Sequence, residues 1–271
     1  MVVEIQDDFD LAKIAMSGQC FRTKQFEDGV FRFIMGEHVI YLKQIEERKY
    51  DVSCDAWEWE NIWYDYFDLN RNYEDIYRSE CDKHEFVTRA INYGRGIRVL
   101  RQDPWEMLLT FIISQRKSIP AIAKAVEALA VTYGHEITTN YETIFTFPMP
   151  AELCDASAEE LIGCSLGYRT PYILDAVKQV ISSRLDLAGI AGYEDEDLFQ
   201  ELQNVYGVGK KVANCVCLFA YGRTARVPVD VWISRAIQEE CGGDSPFELF
   251  GENAGIIQQY VFYYEKSSQQ G

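Results

Sequence analysis

Lys211 and Asp230 are the residues of this chain whose types and spacing could make a reactive pair, an amine and a carboxylate nineteen positions apart. The lysine follows Val205-Tyr206-Gly207-Val208-Gly209-Lys210, a glycine-valine-glycine turn leading from a polar–apolar segment into an apolar one. Gly207 and Gly209 permit positive φ and put no Cβ in the way of an approaching backbone. The N–H groups that open the second segment, together with its helix dipole, favour an anionic oxygen such as a phosphate. A deprotonated Lys211 beside that anion is a nucleophile able to form a Schiff base. The plainer reading is that Lys210 and Lys211 only touch phosphate, and it suits Lys210 better. Asp230 follows the rigid Val227-Pro228-Val229 and precedes the helical run Val231 to Glu239, so it reads as an N-cap. The two roles are compatible, since a fixed carboxylate can stabilise positive charge developing on a sugar ring and move protons.

The elements that position these residues are legible around them. Leu198, Leu202 and Val205 make the inner stripe of the hairpin's first helix. Val212 to Ala220 is apolar nearly all round, which predicts a helix buried in a bundle. Asp103-Pro104-Trp105-Glu106 opens a helix with a cap, a first-turn proline and an acid at the third position. The polar run Ser114 to Ser118 ends that helix, and Pro120 opens another that stops near Tyr133-Gly134. Ser157-Ala158-Glu159-Glu160 is a capping box, and Thr170-Pro171 starts a further helix. Before residue 100 the signals are mixed. Val30 to Met35, Gly36-Glu37 and His38 to Leu42 predict a β-hairpin. Asp55 to Leu69, with Trp57, Trp59, Trp63, Tyr64 and Phe67, is read as a core-packing segment.

The bulk composition sets bounds. A chain of 271 residues with 48% hydrophobic and 14% aromatic content can bury a sizeable core. The N-terminus lacks the basic start and apolar stretch of a signal peptide, and no apolar run reaches the ~18 residues of a membrane span. Eight cysteines without an export signal read as reduced thiols, and neither they nor the three histidines have metal-ligand spacing. The formal net charge of −17 weakens a nucleic-acid reading. Local charge decides a groove, however. From Tyr206 to Arg235 the chain carries Lys210, Lys211, Arg223, Arg226 and Arg235 against the single acid Asp230.

The chain resembles the 8-oxoguanine DNA glycosylase family within the helix-hairpin-helix base-excision glycosylases, over nearly its whole length. The resemblance is carried by Ser17-Gly18-Gln19-Cys20-Phe21-Arg22, Tyr66-Phe67-Asp68-Leu69, Leu100-Arg101-Gln102-Asp103-Pro104, Gly167-Tyr168-Arg169, the hairpin itself and Ala254 to Phe262. It implies an α+β fold: an N-terminal antiparallel β-containing domain (1–100) packed on a mainly α-helical helix-hairpin-helix domain (101–271), with the active site in the cleft. It implies a bifunctional glycosylase and AP lyase that flips 8-oxoguanine out of duplex DNA. Lys211 would attack C1′ and displace the base, Asp230 would hold the sugar charge, and the imine would undergo β-elimination.

On the same resemblance, Cys215 and Phe262 would sandwich the flipped ring, though both also read as ordinary core residues. Gln258 would meet the Watson–Crick edge, and the Gly18 carbonyl would accept from the N7–H of the oxidised base. Tyr168 would wedge into the stack and Arg169 would face the widowed partner base. Gly207, Gly209 and Lys210 would hold the backbone. A monovalent cation on the hairpin's backbone carbonyls is implied as an option, with no other cofactor. One departure stands out. Family members carry an asparagine triplet and a downstream arginine that read the opposite cytosine, where this chain has Arg116-Lys117-Ser118 and Ala121. Arg116 could fill that gap, and strict cytosine preference is open. The rival readings are a glycosylase of alkylated purines and a non-catalytic DNA-binding hairpin. A monomer acting on double-stranded DNA is expected, away from membranes, in the cytoplasm (on the nucleoid in a bacterium) or in a nucleus.

Overall fold

A five-stranded antiparallel sheet, a separate two-stranded antiparallel pair (Glu136–Thr138 with Thr143–Phe145) and a set of helices make up the fold in this computed structural model, which describes residues 1–268. Ser267 and Ser268 are helical, and 269–271 lie outside the described residues. The strands of the larger sheet are β1 (Val2–Glu4), β2 (Lys24–Gln25), β3 (Phe31–Met35), β4 (His38–Glu46) and β5 (Lys49–Val52), in the order β1-β5-β4-β3-β2. The predicted hairpin is β3–β4, and Gly36 at its turn has φ +59, a value that L side chains adopt only under strain. In the aromatic run, Trp59, Trp63, Tyr66 and Phe67 are buried while Trp57 and Tyr64 are exposed.

By backbone proximity the chain forms two compact units, one of residues 1–33, 39–101 and 222–271, the other of 34–38 and 102–221. One boundary between the units falls at 101/102. Residues 222–271, which follow the helical segment in sequence, group with the N-terminal residues. The cause lies in helix α2. Helices α1 (Leu11–Met16), α2 (Glu85–Gly94), α8 (Val231–Glu240) and α9 (Ala254–Ser268) belong to the first unit. Gly94 on α2 admits the ring of Tyr260 on α9, and a Cβ there would lie 2.7 Å from it. Ile256, Ile257, Tyr260 and Val261 are buried in the process, and apolar burial of that kind overrides sequence order.

A buried cation holds the first unit. Arg98 is 0% exposed, and its five N–H groups reach five acceptors. They donate to the carbonyls of Phe67 (2.8 Å), Asp8 (3.0 Å), Asp68 (2.6 Å) and Arg71 (2.8 Å) and to the Asp7 carboxylate (2.8 Å). The guanidinium stacks 4.1 Å over the Tyr73 ring. Arg101, in Leu100-Arg101-Gln102-Asp103-Pro104, pairs with Asp68, in Tyr66-Phe67-Asp68-Leu69, at 3.2 Å, and its backbone N–H donates to the Tyr66 carbonyl. The two short motifs are thus one stitched joint.

The second unit is helical, with α3 (Pro104–Ser114), α4 (Ile119–Tyr133), α5 (Thr170–Ile181), α6 (Asp195–Gln203) and α7 (Lys210–Phe219). Asp103 caps α3 by accepting from the Glu106 N–H at 2.8 Å, and the Ser157–Glu160 box is formed. Phe111 of α3 stacks on Phe219 of α7, with centroids 5.5 Å apart and planes 19° apart. No described helix is long and apolar enough to cross a membrane.

Removing a buried guanidinium strands every acceptor it served, so Arg98→Met is expected to cost about 3–5 kcal/mol in urea unfolding. A loss of about 0.5 kcal/mol, typical of a surface change, would contradict the hub. Burial pushes the Asp7 carboxyl up, but the Tyr73 N–H and the Arg98 guanidinium outweigh it and hold it below its ordinary value. The stability it adds is present above the unfolded carboxylate value of ~3.9 and fades as pH falls through the lower folded value. Asp7→Asn should therefore flatten the decline of the urea midpoint below about pH 4.

Candidate active site

Helix α6 begins with Asp195, Glu196 and Asp197, acids that suit the positive end of its dipole, and buries Leu198 and Leu202. The turn that follows bends at Gly207, which has φ +85. A Cβ at Gly207 would sit 2.4 Å from the Tyr172 ring, so glycine is required there twice over. Gly209 differs from expectation. It is extended, with φ −97 and ψ −179, as N-cap of α7. Its lack of a side chain serves clearance instead, since a Cβ built on it meets nothing within 4 Å and the residue is exposed. An anionic chain could approach the first N–H groups of α7 across that open face.

Lys210 is exposed and Lys211 half-buried in the first turn of α7. The Lys211 Nζ donates to Ser114 Oγ at 3.2 Å and lies 5.1 Å from the centroid of the Phe111 ring. The amine is therefore held against the end of α3 and does not extend into solvent. Cys215 is buried one turn further along α7, on the same face.

The loop after α3 carries the departure from the family pattern. Arg116 is exposed and has φ +53, a left-handed conformation that costs a non-glycine residue about 1 kcal/mol or more. Lys117 Nζ donates to the Ser165 carbonyl at 2.8 Å. Its burial, and next the Arg169 guanidinium, press the Lys117 ammonium below its ordinary value. Tyr168 is half-exposed, with its ring perpendicular to that of Tyr172.

Arg169 needs correction. It is 5% exposed, with Nε donating to the Gln115 carbonyl at 2.9 Å, Nη1 to the Leu166 carbonyl at 3.2 Å and Nη2 to Gln115 again. Three of its N–H groups make it an internal strut, where the sequence placed it facing a base. Gln115 is the residue that sequence reading passed over. Its side-chain amide donates to the Gly207 carbonyl at 3.1 Å, so it joins the hairpin turn to the Arg116 loop. Ser114 reads in the sequence only as the polar end of a helix, and nothing in its type or in that of Phe111 announces the lysine contact.

The first unit holds the remaining candidates. Asp230 caps α8, accepting from the Ile233 N–H at 2.9 Å, and is half-buried. Its loop is tied down by the Gly255 N–H, which donates to the Thr224 carbonyl at 2.7 Å. Gly18 has φ +80 and sits between two fully buried neighbours. Gln19 donates to Ser17 Oγ (2.8 Å) and to the Arg98 carbonyl (2.8 Å), and accepts from the Leu100 N–H (2.7 Å). Gln259 donates to the Ser17 carbonyl at 2.7 Å. The next residue back, Gln258, is 3% exposed, and its Oε1 is buried with no hydrogen-bond partner among the described residues. Phe262 follows four residues later on α9, half-buried and on the same helix face as Gln258. An unmet buried acceptor costs stability unless something arrives to donate to it.

Residues 1–108 match the family model described as 8-oxoguanine DNA glycosylase, N-terminal domain. A probable N-glycosylase/DNA lyase of Methanothermobacter thermautotrophicus is 30% identical over 231 residues, 74% of this chain and 73% of that protein. The N-glycosylase/DNA lyase of Saccharomyces cerevisiae is 32% identical over 54% of this chain, which spans 42% of the yeast protein. Among solved structures, MBOgg1 bound to a low-affinity DNA ligand superposes with a TM-score of 0.93 at 36% identity, covering 99% of this chain and 96% of that one. The Clostridium acetobutylicum 8-oxoguanine glycosylase/lyase, bound to duplex DNA with cytosine opposite 8-oxoG, superposes at 0.92 with 30% identity, over 99% and 98%. The 3-methyladenine DNA-glycosylase of Archaeoglobus fulgidus, at 20% identity and a TM-score of 0.80, shares the fold. The kinship runs along about three quarters of both the archaeal relative and this chain, and on that ground the chain belongs to the 8-oxoguanine DNA glycosylase family.

Proposed function

We propose that this chain excises 8-oxoguanine from double-stranded DNA through a covalent lysine intermediate and then nicks the strand. The observation that carries the reading is the Lys211 amine, held by Ser114 at the start of α7 beside an unobstructed glycine N-cap. The target carbon lies inside the base stack, so the nucleotide must first be turned out. The Lys211 nitrogen then forms a bond to C1′ while the C1′–N9 bond breaks, its electron pair leaving with the base, which takes up a proton. The nitrogen sheds one proton, and opening of the sugar ring gives the imine. Loss of a C2′ proton then expels the 3′ phosphate. Asp230 supplies the fixed carboxylate that stabilises positive sugar charge and moves protons.

Base selection follows from groups in the first unit. The Gly18 carbonyl accepts the N7–H that guanine lacks, and Gln258 Oε1 accepts from the Watson–Crick edge. Its want of a partner supports that role. Cys215 and Phe262 flank the ring. Tyr168 fills the gap in the stack, while Lys210 and the hairpin N–H groups hold a phosphate. Arg116, exposed and left-handed, meets the opposite base. A monovalent cation at the hairpin would rest on turn carbonyls other than those of Asn204 and Gly207, which accept from Gln179 and Gln115. It would stiffen the turn and take no part in the chemistry. A monomer in the compartment that holds the cell's DNA completes the reading.

Incubation with a duplex containing 8-oxoguanine, followed by borohydride, is expected to trap a protein–DNA adduct, and Lys211→Gln to abolish it; an adduct that survives in that variant sinks the mechanism. Base release opposite C, T, G and A should then be compared with and without Arg116→Ala. One bidentate base contact is worth ~1–3 kcal/mol, so the spread of rates across the four partners should narrow at least about fivefold. An unchanged spread would remove Arg116 from opposite-base reading.

A further inference from the structure

A lysine stem has more rotamer freedom than almost any other side chain. An amine that must meet one carbon of an extruded nucleotide gains rate from being held in place beforehand. Two groups at the end of α3 do the holding. Ser114 Oγ donates its own hydrogen to the Phe111 carbonyl at 2.8 Å. With that hydrogen committed, the oxygen faces Lys211 only as an acceptor, and Nζ donates to it over 3.2 Å. Ser114 is itself buried, so water competes little for that lone pair. The Phe111 ring, 5.1 Å from Nζ, offers its negative face to the amine end and is fixed in turn by its stack on Phe219. Phe219 lies on α7, the helix that carries Lys211. The arrangement is therefore closed: α7 brings the lysine, and its other end anchors the ring that receives it.

We propose that Ser114, seated on Phe111, is the positioning residue of the nucleophile, a role that rests on the base-excision reading above. Its oxygen pins one N–H of Lys211 toward α3, which leaves the nitrogen's reacting direction pointing away from that helix. Ser114 accepts no proton in the reaction. When nitrogen bonds to C1′ and the C1′–N9 pair leaves with the base, the shed proton passes to the departing base by way of the Asp230 carboxylate or solvent.

The test compares wild type, Ser114→Ala and Ser114→Thr in single-turnover release of 8-oxoguanine at saturating enzyme, in duplex affinity and in thermal midpoint. Ser114→Ala is expected to slow release and borohydride trapping about tenfold while duplex affinity stays within about twofold, and the threonine hydroxyl to restore most of the rate. Wild-type rates in Ser114→Ala overturn the proposal, as does a threonine variant with an unchanged midpoint that is as slow as alanine. A second measurement needs no DNA. Reductive methylation of Lys211, read by peptide mass, should run faster in Ser114→Ala, and equal rates would remove the seat whatever the chain does to DNA. Faster methylation in a chain whose wild type releases no base would keep the seat and sink the base-excision reading instead.

Discussion

One carbonyl oxygen organises the functional face of the second unit. The C=O of Gln115 takes hydrogen bonds from the Arg169 guanidinium and from the Tyr168 hydroxyl, and the side chain of the same residue reaches the Gly207 carbonyl. Three loops distant in sequence are thereby fixed to one another: the Arg116 loop, the Gly167-Tyr168-Arg169 turn and the hairpin. Charge-assisted bonds of this kind are roughly twice as strong as neutral ones, and Arg169 makes them away from water. In the first unit Arg98 does the comparable work, with every N–H of a buried guanidinium satisfied. In both places an arginine orders irregular backbone, for which neither helix nor sheet supplies partners.

The acidity of the chain fits this architecture. Arg116 and Lys117 lie on a loop that Gln115 joins to the hairpin turn, after which Lys210 and Lys211 open α7, whereas acids such as Asp195, Glu196 and Asp197 complement the dipole at the far end of the hairpin's first helix. A formal charge of −17 describes long-range attraction to a polyanion, and a local cluster can still bind one at short range.

Much of the fold was legible because local chemistry agreed with the global result. The caps at Asp103, Ser157 and Asp230, the prolines that open helices and the inner stripe of Leu198 and Leu202 all stand where the sequence put them. Three things were hidden. The final fifty residues join the N-terminal unit because Gly94 makes room for Tyr260, and no periodicity encodes a close approach between distant segments. Arg169 sits beside an exposed tyrosine in a turn, which reads as a surface position, yet neighbouring carbonyls draw it inward. Ser114 looks like the end of a helix, because the residue type says nothing about the lysine 97 positions later. Types and spacing revealed which groups could react, whereas tertiary contacts determine which are held ready.

Gln258 and Gln259 stand about 100° apart around α9. One is fastened to the Ser17 carbonyl, and the other keeps an oxygen unserved in the interior. Turning the helix to serve the second would pull the first from its anchor. The bond at Gln259 thus sets the rotation of the helix that presents Gln258, and with it the direction from which a donor would meet that oxygen.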